Sequence, residues 1–317
     1  MATFEAPIPE SMKKIIVIGS CNTDMVIKTD RLPTPGETVL GGTFLMNAGG
    51  KGANQAVTAA RQGGKVTFIS KTGNDVFGKQ SVELYKSEGI NTDYIFSDPK
   101  NPSGVALITV DSHGENCIVV ASGANGSLSP ADIESAKGEI ETGNFVLMQL
   151  EIPIETVEYA AELASKKGIP VILNPAPART LSGKLLTCLY VITPNEHEAE
   201  MLSGIKVTDW NSARKAADII SDKGVDNVVI TMGAQGAFIK EKDQYYTVDA
   251  TKVVAIDTTA AGDSFSGAFC VGLAEGKTIL EAVKTATRVA AITVTRMGAQ
   301  SSIPFRNELA LLEVEKG

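Results

Sequence analysis

The apolar positions of this chain fall into short continuous runs set between stretches of helical spacing. Ile15-Ile16-Val17-Ile18 ends at Gly19 and predicts a buried first strand over 15–19. The residues ahead of it, 1–14, read as a loosely held tail. Ala53, Ala56, Val57, Ala59 and Ala60 predict a closely packed helix over 51–61, and a strand follows over 66–70. Further strands are predicted over 145–149, 171–174, 190–193 and 227–232, alternating with helices over 154–167, 196–202 and 212–223. Two more helices, over 262–275 and 279–296, close the series. Apolar strands alternating with helices argue for an α/β fold with a Rossmann-like, mainly parallel central sheet and helices on both faces.

Two stretches break this alternation. Residues 22–48 and 103–124 look strand-like, alternate apolar with polar residues and hold no long helix. In the second, 105–110 and 117–120 flank a His113-Gly114-Glu115-Asn116 turn and read as a hairpin. A small antiparallel sheet standing off the main one, with a face for a lid, is expected here. The alternative is a set of extra edge strands on the core sheet. The chain then reads as one α/β domain over 15–317, with the lid drawn from about 22–48 and 103–124. No repeat with a period of 20–50 residues is present.

Composition narrows the classes of function. At 43% apolar and 21% charged the chain is ordinary globular protein, neither disordered nor low in complexity. A formal net charge of −8 disfavours a reader of nucleic-acid backbone. No apolar run is long enough to span a membrane, and no basic segment precedes a long apolar one near the start. The reading is therefore cytoplasmic, without nucleic-acid or membrane partners. The four cysteines are far apart, which speaks against a disulfide framework or a structural zinc. Two histidines exclude a His-rich metal site and make a Ser-His-Asp triad improbable.

Some motifs are imitations. Gly272-Leu273-Ala274-Glu275-Gly276-Lys277-Thr278 has one residue too few between its glycines for a P-loop, and it lies between two helices. No dinucleotide-binding glycine pattern follows the first strand. Asn125-Gly126-Ser127 is a formal glycosylation sequon, irrelevant in the cytosol.

Four segments carry more. In Asp257-Thr258-Thr259-Ala260-Ala261-Gly262-Asp263-Ser264 small residues run into a helix, whose exposed N–H groups and dipole attract a phosphoryl group. Asp263 reads equally as an ordinary helix-start residue or as a general base. In Asn47-Ala48-Gly49-Gly50-Lys51-Gly52-Ala53-Asn54 the glycines let backbone approach a ligand while Lys51 and Asn54 offer donors; a flexible turn is the plainer alternative. Asn22 and Asp24 follow the first strand and can point to one side, an amide and a carboxylate suited to sugar hydroxyls, or simply turn residues. Asn195 and Glu198 share one helical face, which suits Mg²⁺ or a solvated acidic helix.

Together these segments resemble the ribokinase-type carbohydrate kinases, the family that also holds adenosine kinases and fructokinases. The resemblance runs from Ile15 to about Pro304 and is most specific at Gly49–Asn54 and Asp257–Asp263. Pro33-Thr34-Pro35-Gly36-Glu37-Thr38, Leu150-Glu151 and Gly298-Ala299-Gln300 add to it. It implies ATP-dependent phosphorylation of D-ribose at its 5-hydroxyl. Asn22, Asp24, Gly50, Lys51, Asn54 and Glu151 would then hold the sugar, with Asp263 as base and the amides of Ala260, Ala261 and Gly262 as anion hole. Asn195 would serve the phosphates, and Glu198 would serve Mg²⁺ through water. Thr231, Met232, Gly233, Ala234, Gln235 and Gly236 would border the nucleotide together with Gly262 and Asp263, and Thr287 would lie near the adenine. Asp257, Thr259, Thr293, Arg296, Gly298 and Ser302 resemble a K⁺ loop, several of them through main-chain carbonyls. One departure stands out: Ala260 occupies a position where the wider family usually has glycine, and alanine penalises positive φ. The exposed edge of the lid suggests a homodimer. A kinase of deoxyribose, fructose or a nucleoside, and a non-catalytic sugar-binding protein on the same fold, remain the alternatives.

Overall fold

Ile15, Ile16, Val17 and Ile18 are fully buried because their strand, β1 (Lys14–Ile18), runs through the middle of a sheet with helices on both faces. The computed structural model describes residues 14–310, so the expected tail lies outside the described residues except for Lys14, which opens β1. From β1 the chain leaves the core through β2 (Asn22–Lys28) and β3 (Thr43–Gly49). It returns through helix α1 (Lys51–Arg61) to β4 (Lys65–Gly73), then through α2 (Val76–Ser87) to β5 (Ile95–Asp98). It leaves again through β6 (Gly104–Val110) and β7 (Asn116–Ala121) and comes back over short helices α3 (Pro130–Ser135) and α4 (Lys137–Glu141). The sheet then continues as β8 (Phe145–Met148), α5 (Ile154–Lys166), β9 (Val171–Leu173), α6 (Gly183–Leu186), β10 (Val191–Ile192), α7 (Glu196–Ser203), α8 (Trp210–Asp222) and β11 (Asn227–Thr231). A hairpin, β12 (Gly236–Glu241) and β13 (Gln244–Asp249), precedes the long helices α9 (Ala261–Ala274) and α10 (Ile279–Thr293).

The nine-stranded sheet has the order β13-β12-β11-β10-β9-β8-β1-β4-β5. It is parallel from β5 to β11 and antiparallel only in the terminal hairpin. Side chains alternate between its faces: Ile16 and Ile18 join the core beneath α5 and α8, while Ile15 and Val17 join that beneath α1, α9 and α10. The chain builds outward from β1 through β4 and β5, then restarts on the other side at β8. This reversal opens a crevice at the carboxyl ends of β1 and β8, the place where open α/β sheets bind ligands.

The second sheet has the order β3-β2-β6-β7. Its outer pairings are antiparallel, while β2 and β6 pair in parallel, with Asn22 opposite Gly104. Both strands follow parallel core strands, β1 and β5, and so leave the core in the same direction. The sequence had not suggested α2, β5 or the β12–β13 hairpin. The last helix stops at Thr293, three residues short of the expected end, because the Val294 carbonyl accepts from the Ile256 and Asp257 amides in the loop before α9. Among the described residues no helix is long and apolar enough to cross a membrane.

Candidate active site

Two helix starts face each other above the crevice. In α9, Gly267 takes a position where a Cβ would lie 2.6 Å from the Gln55 carbonyl oxygen and 2.7 Å from Thr58 Cβ. The missing side chain lets α1 and α9 cross at backbone contact and brings their first turns together. Asp263, in the first turn of α9, is buried there. Its Oδ2 accepts from Asn54 Nδ2 at 2.9 Å and its Oδ1 from Gln55 Nε2 at 3.0 Å. The interior carboxylate is thus held by α1.

Ala260 caps α9 in the left-handed conformation, φ 61° and ψ 10°, a place where a non-glycine residue is strained. That bend turns the Ala261 amide onto the Thr258 carbonyl at 3.2 Å. No acceptor among the described residues takes the amides of Ala260, Gly262 or Asp263. Of the amides expected to form the anion hole over 260–262, that of Ala261 donates to Thr258, while the neighbouring Asp263 amide also lacks an acceptor.

Lys51 opens α1, with its ammonium near Asp263, Glu151, Glu198 and Asp24; their negative charge, that of Asp263 foremost, holds it protonated against the cost of burial. Burial, then the charges of Glu151 and Asp263, push the Asp24 carboxyl up to about 6. Glu151 Oε2 accepts from Ser20 Oγ at 2.6 Å and from the Lys51 amide at 3.0 Å, so Glu151 fixes the loop after β1 and leaves Oε1 for a ligand. Asn22 Oδ1 accepts from Asn125 Nδ2 at 2.7 Å, and Asn125 also brackets the Cys21 backbone in both directions. The sequon asparagine is thus buried structure. Gly50 lies at the cap of α1, against the backbone of Cys21 and Asn22.

Two cavities meet at the start of α9. The larger, of about 540 Å³, lies between the β11–β12 turn, the 250–258 loop and α10; Thr231, Gly233, Ala234, Gly236 and Thr287 line it. The smaller, of about 190 Å³, is lined by Lys51, Glu198, Ala260 and Asp263 among others. Asn195, Thr231, Thr258, Ala261 and Gly262 border both. Two of the expected nucleotide neighbours do not line the larger cavity. Met232 is packed in the core, and Gln235 points outward, donating to the Thr208 carbonyl at 3.3 Å. Asp263 borders only the smaller cavity.

Glu198 closes a capping box at the start of α7, its two oxygens accepting from the amide and side chain of Asn195. Burial raises its pKa, opposed by the Asn195 amide. Asp257 staples two loops, its Oδ1 accepting from the Thr259 amide and its Oδ2 from the Gly298 amide, both at 2.9 Å. Thr293, the last residue of α10, and Ser302, in the turn that follows it, are both buried. The Arg296 side chain instead pairs with Glu308 at 2.7 Å, leaving only its main chain to face a cation. The sequence reading missed Ser20, Gln55, Asn125, Gln149 and Asn174. The small hydroxyl after Gly19 and the amide next to Asn54 were the available signals.

A family model described as pfkB family carbohydrate kinase matches residues 12–306. The chain is 47% identical to a ribokinase of Haemophilus influenzae over 93% of its own length and 97% of that protein. It is 41% identical to a deoxyribokinase of Salmonella typhi, over 94% and 99% of the two chains. The structure of Arabidopsis thaliana ribokinase complexed with ribose and ATP superposes with a TM-score of 0.88 at 31% identity, covering 95% of this chain and 98% of that one.

Proposed function

The chain belongs to the pfkB family of carbohydrate kinases, and on that footing we propose that it transfers the terminal phosphoryl group of ATP to the 5-hydroxyl of D-ribose, giving D-ribose 5-phosphate and ADP. One observation carries the reading: the buried Asp263 carboxylate and the unpartnered amides of a single helix start lie where a cavity large enough for a nucleotide meets a smaller polar one that Lys51, Glu198 and Asp263 line.

Ribose lies between the second sheet and α1, with Asn22, Asp24, Lys51, Asn54 and Glu151 meeting its hydroxyls. ATP occupies the larger cavity, bordered by Thr231, Gly233, Ala234, Gly236 and Thr287. Asp263 takes the proton of the 5-hydroxyl as its oxygen attacks the γ-phosphorus and the bond to the ADP oxygen breaks. The amides at the start of α9 and the Lys51 ammonium stabilise the charge that gathers on the phosphoryl oxygens.

Mg²⁺, arriving with the nucleotide, supplies charge neutralisation on the phosphates. Glu198 fits it through water, since both its oxygens are committed to Asn195. The Asp257, Thr259, Thr293, Gly298 and Ser302 segment fits K⁺. Its donors are oxygens, and the Asp257 staple ties the loop before α9 to the loop after α10, so a cation there would order the anion-binding turn. The exposed apolar face of the second sheet, with Phe44, Leu107 and Val119, fits a homodimer paired through the lid. Free thiols at all four cysteines accord with a cytoplasmic setting. Because one relative acts on deoxyribose, 2-deoxyribose is the second acceptor.

The test is an ADP-coupled assay over ribose, deoxyribose, fructose and nucleosides, with and without K⁺. Ribose is expected to give the highest kcat/KM, and Asp263→Asn to lower kcat by about 10²–10⁴-fold. A preference for another acceptor overturns the substrate; a fully active Asp263→Asn overturns the mechanism.

A further inference from the structure

We infer that Gln55 is a positioning residue for Asp263, locked into its donor orientation by Gln149 and Asn174. The inference rests on the reading of Asp263 as the base. Three strands end side by side at the crevice, and each delivers one group to a buried chain of amides. Gln149, after β8, donates from Nε2 to Gln55 Oε1 at 2.6 Å. Asn174, after β9, accepts at Oδ1 from Gln55 Nε2 at 3.2 Å and donates from Nδ2 to the carbonyl of Thr193, after β10, at 3.1 Å. Gln55 Nε2 then has one hydrogen left for Asp263 Oδ1, 3.0 Å away.

The chain has a direction. The Thr193 carbonyl can only accept, which sets the Asn174 amide; Asn174 then presents oxygen to Gln55. The oxygens of Asn174 and Asp263 that face Gln55 can only accept, so its nitrogen points to them and its oxygen is left to take the Gln149 Nε2. All three amide residues are buried, with Asn174 at the wall of the smaller cavity. The arrangement also accounts for Gly19: a Cβ there would lie 2.1 Å from Gln149 Oε1. The loop after β1 leaves room for the first link. Asn54 fixes the other carboxylate oxygen from the next residue of α1. With both oxygens held, the carboxylate plane is set before substrate enters, as a base aligned to a single hydroxyl requires.

The test is a double-mutant cycle on the full chain, read as kcat and KM for ribose and ATP. Gln55→Leu keeps bulk but removes the donor. It is expected to lower kcat by about 10–100-fold, with both KM values within about threefold, as loss of alignment does. In the Asp263→Asn background the same change should alter kcat by less than about threefold, since the residue it acts through is gone. An equal loss in both backgrounds, or wild-type kcat in Gln55→Leu, overturns the positioning role. A fully active Asp263→Asn overturns the base itself, whatever Gln55 does. Should Gln55→Leu not fold, Gln149→Met decides. It leaves Gln55 Oε1 without its donor, so that the side chain is held from one side only, and is expected to lower kcat only when Asp263 is present; a loss independent of Asp263, or no loss, overturns the proposal.

Discussion

Asp24 shows how one residue's burial sets a measurable pH response. Its carboxyl is raised from an ordinary value to about 6, first by burial and then by Glu151 and Asp263. The folded protein therefore binds this proton more tightly than the unfolded chain. Its contribution to stability is full below about pH 4, the ordinary carboxylate range, and is lost as pH rises through about 6. A sugar hydroxyl donating to Asp24 reverses that balance, because it favours the ionised form. Ribose affinity is expected to rise about tenfold between pH 5 and pH 7 if only the ionised form binds. Calorimetric titration at both values measures it, and Asp24→Asn should remove the dependence. The same affinity at both pH values would show that Asp24 does not meet the sugar. At this scale the sequence indicated Asp263, Lys51 and Asp24, because charged groups at a helix start, beside glycines or just after a buried strand stand out. It could not indicate that Gln55, Gln149 and Asn174 meet. An uncharged amide in a helix or after a strand has no distinctive spacing, and its partners lie 94 and 119 residues away in sequence.

Among the elements, the crossing of α1 and α9 decides whether the site exists. Gly267 places the two backbones in contact, and the nearest atoms include a main-chain oxygen that cannot swing aside. Gly267→Ala is expected to cost about 1–3 kcal/mol of stability, the usual range for overpacking. It should also lower kcat by about 10²-fold by drawing Gln55 and Asn54 away from Asp263. Urea unfolding and steady-state kinetics test this together; a stable, fully active variant would mean that the helices can separate without loss. Both helices were legible as apolar runs of small residues. Their contact was not, because Gly267 is one small residue among many in Gly262–Ala274.

The whole molecule joins a nine-stranded, mainly parallel sheet to a separate four-stranded sheet of different character. The outer strand β7 is exposed along its full length, and Ile118, Val119 and Val120 present apolar side chains with it. Such an edge is a site for pairing between copies. Sedimentation at micromolar concentration should give a dimer for the wild type and a monomer for Val119→Lys, with a higher KM for ribose if the lid needs its partner. A wild-type monomer would remove the dimer from the account. By itself the sequence determined the alternation of strand and helix and the two β insertions, and it singled out the small residues and Asp263 at the head of α9, because each is written in contiguous residues. Only the tertiary structure decided the parallel pairing of β2 with β6, the division of two cavities by one helix start and the amide chain that holds Asp263. Those features join residues brought together by strand order and helix crossing, and neither is encoded in the spacing of neighbours along the chain.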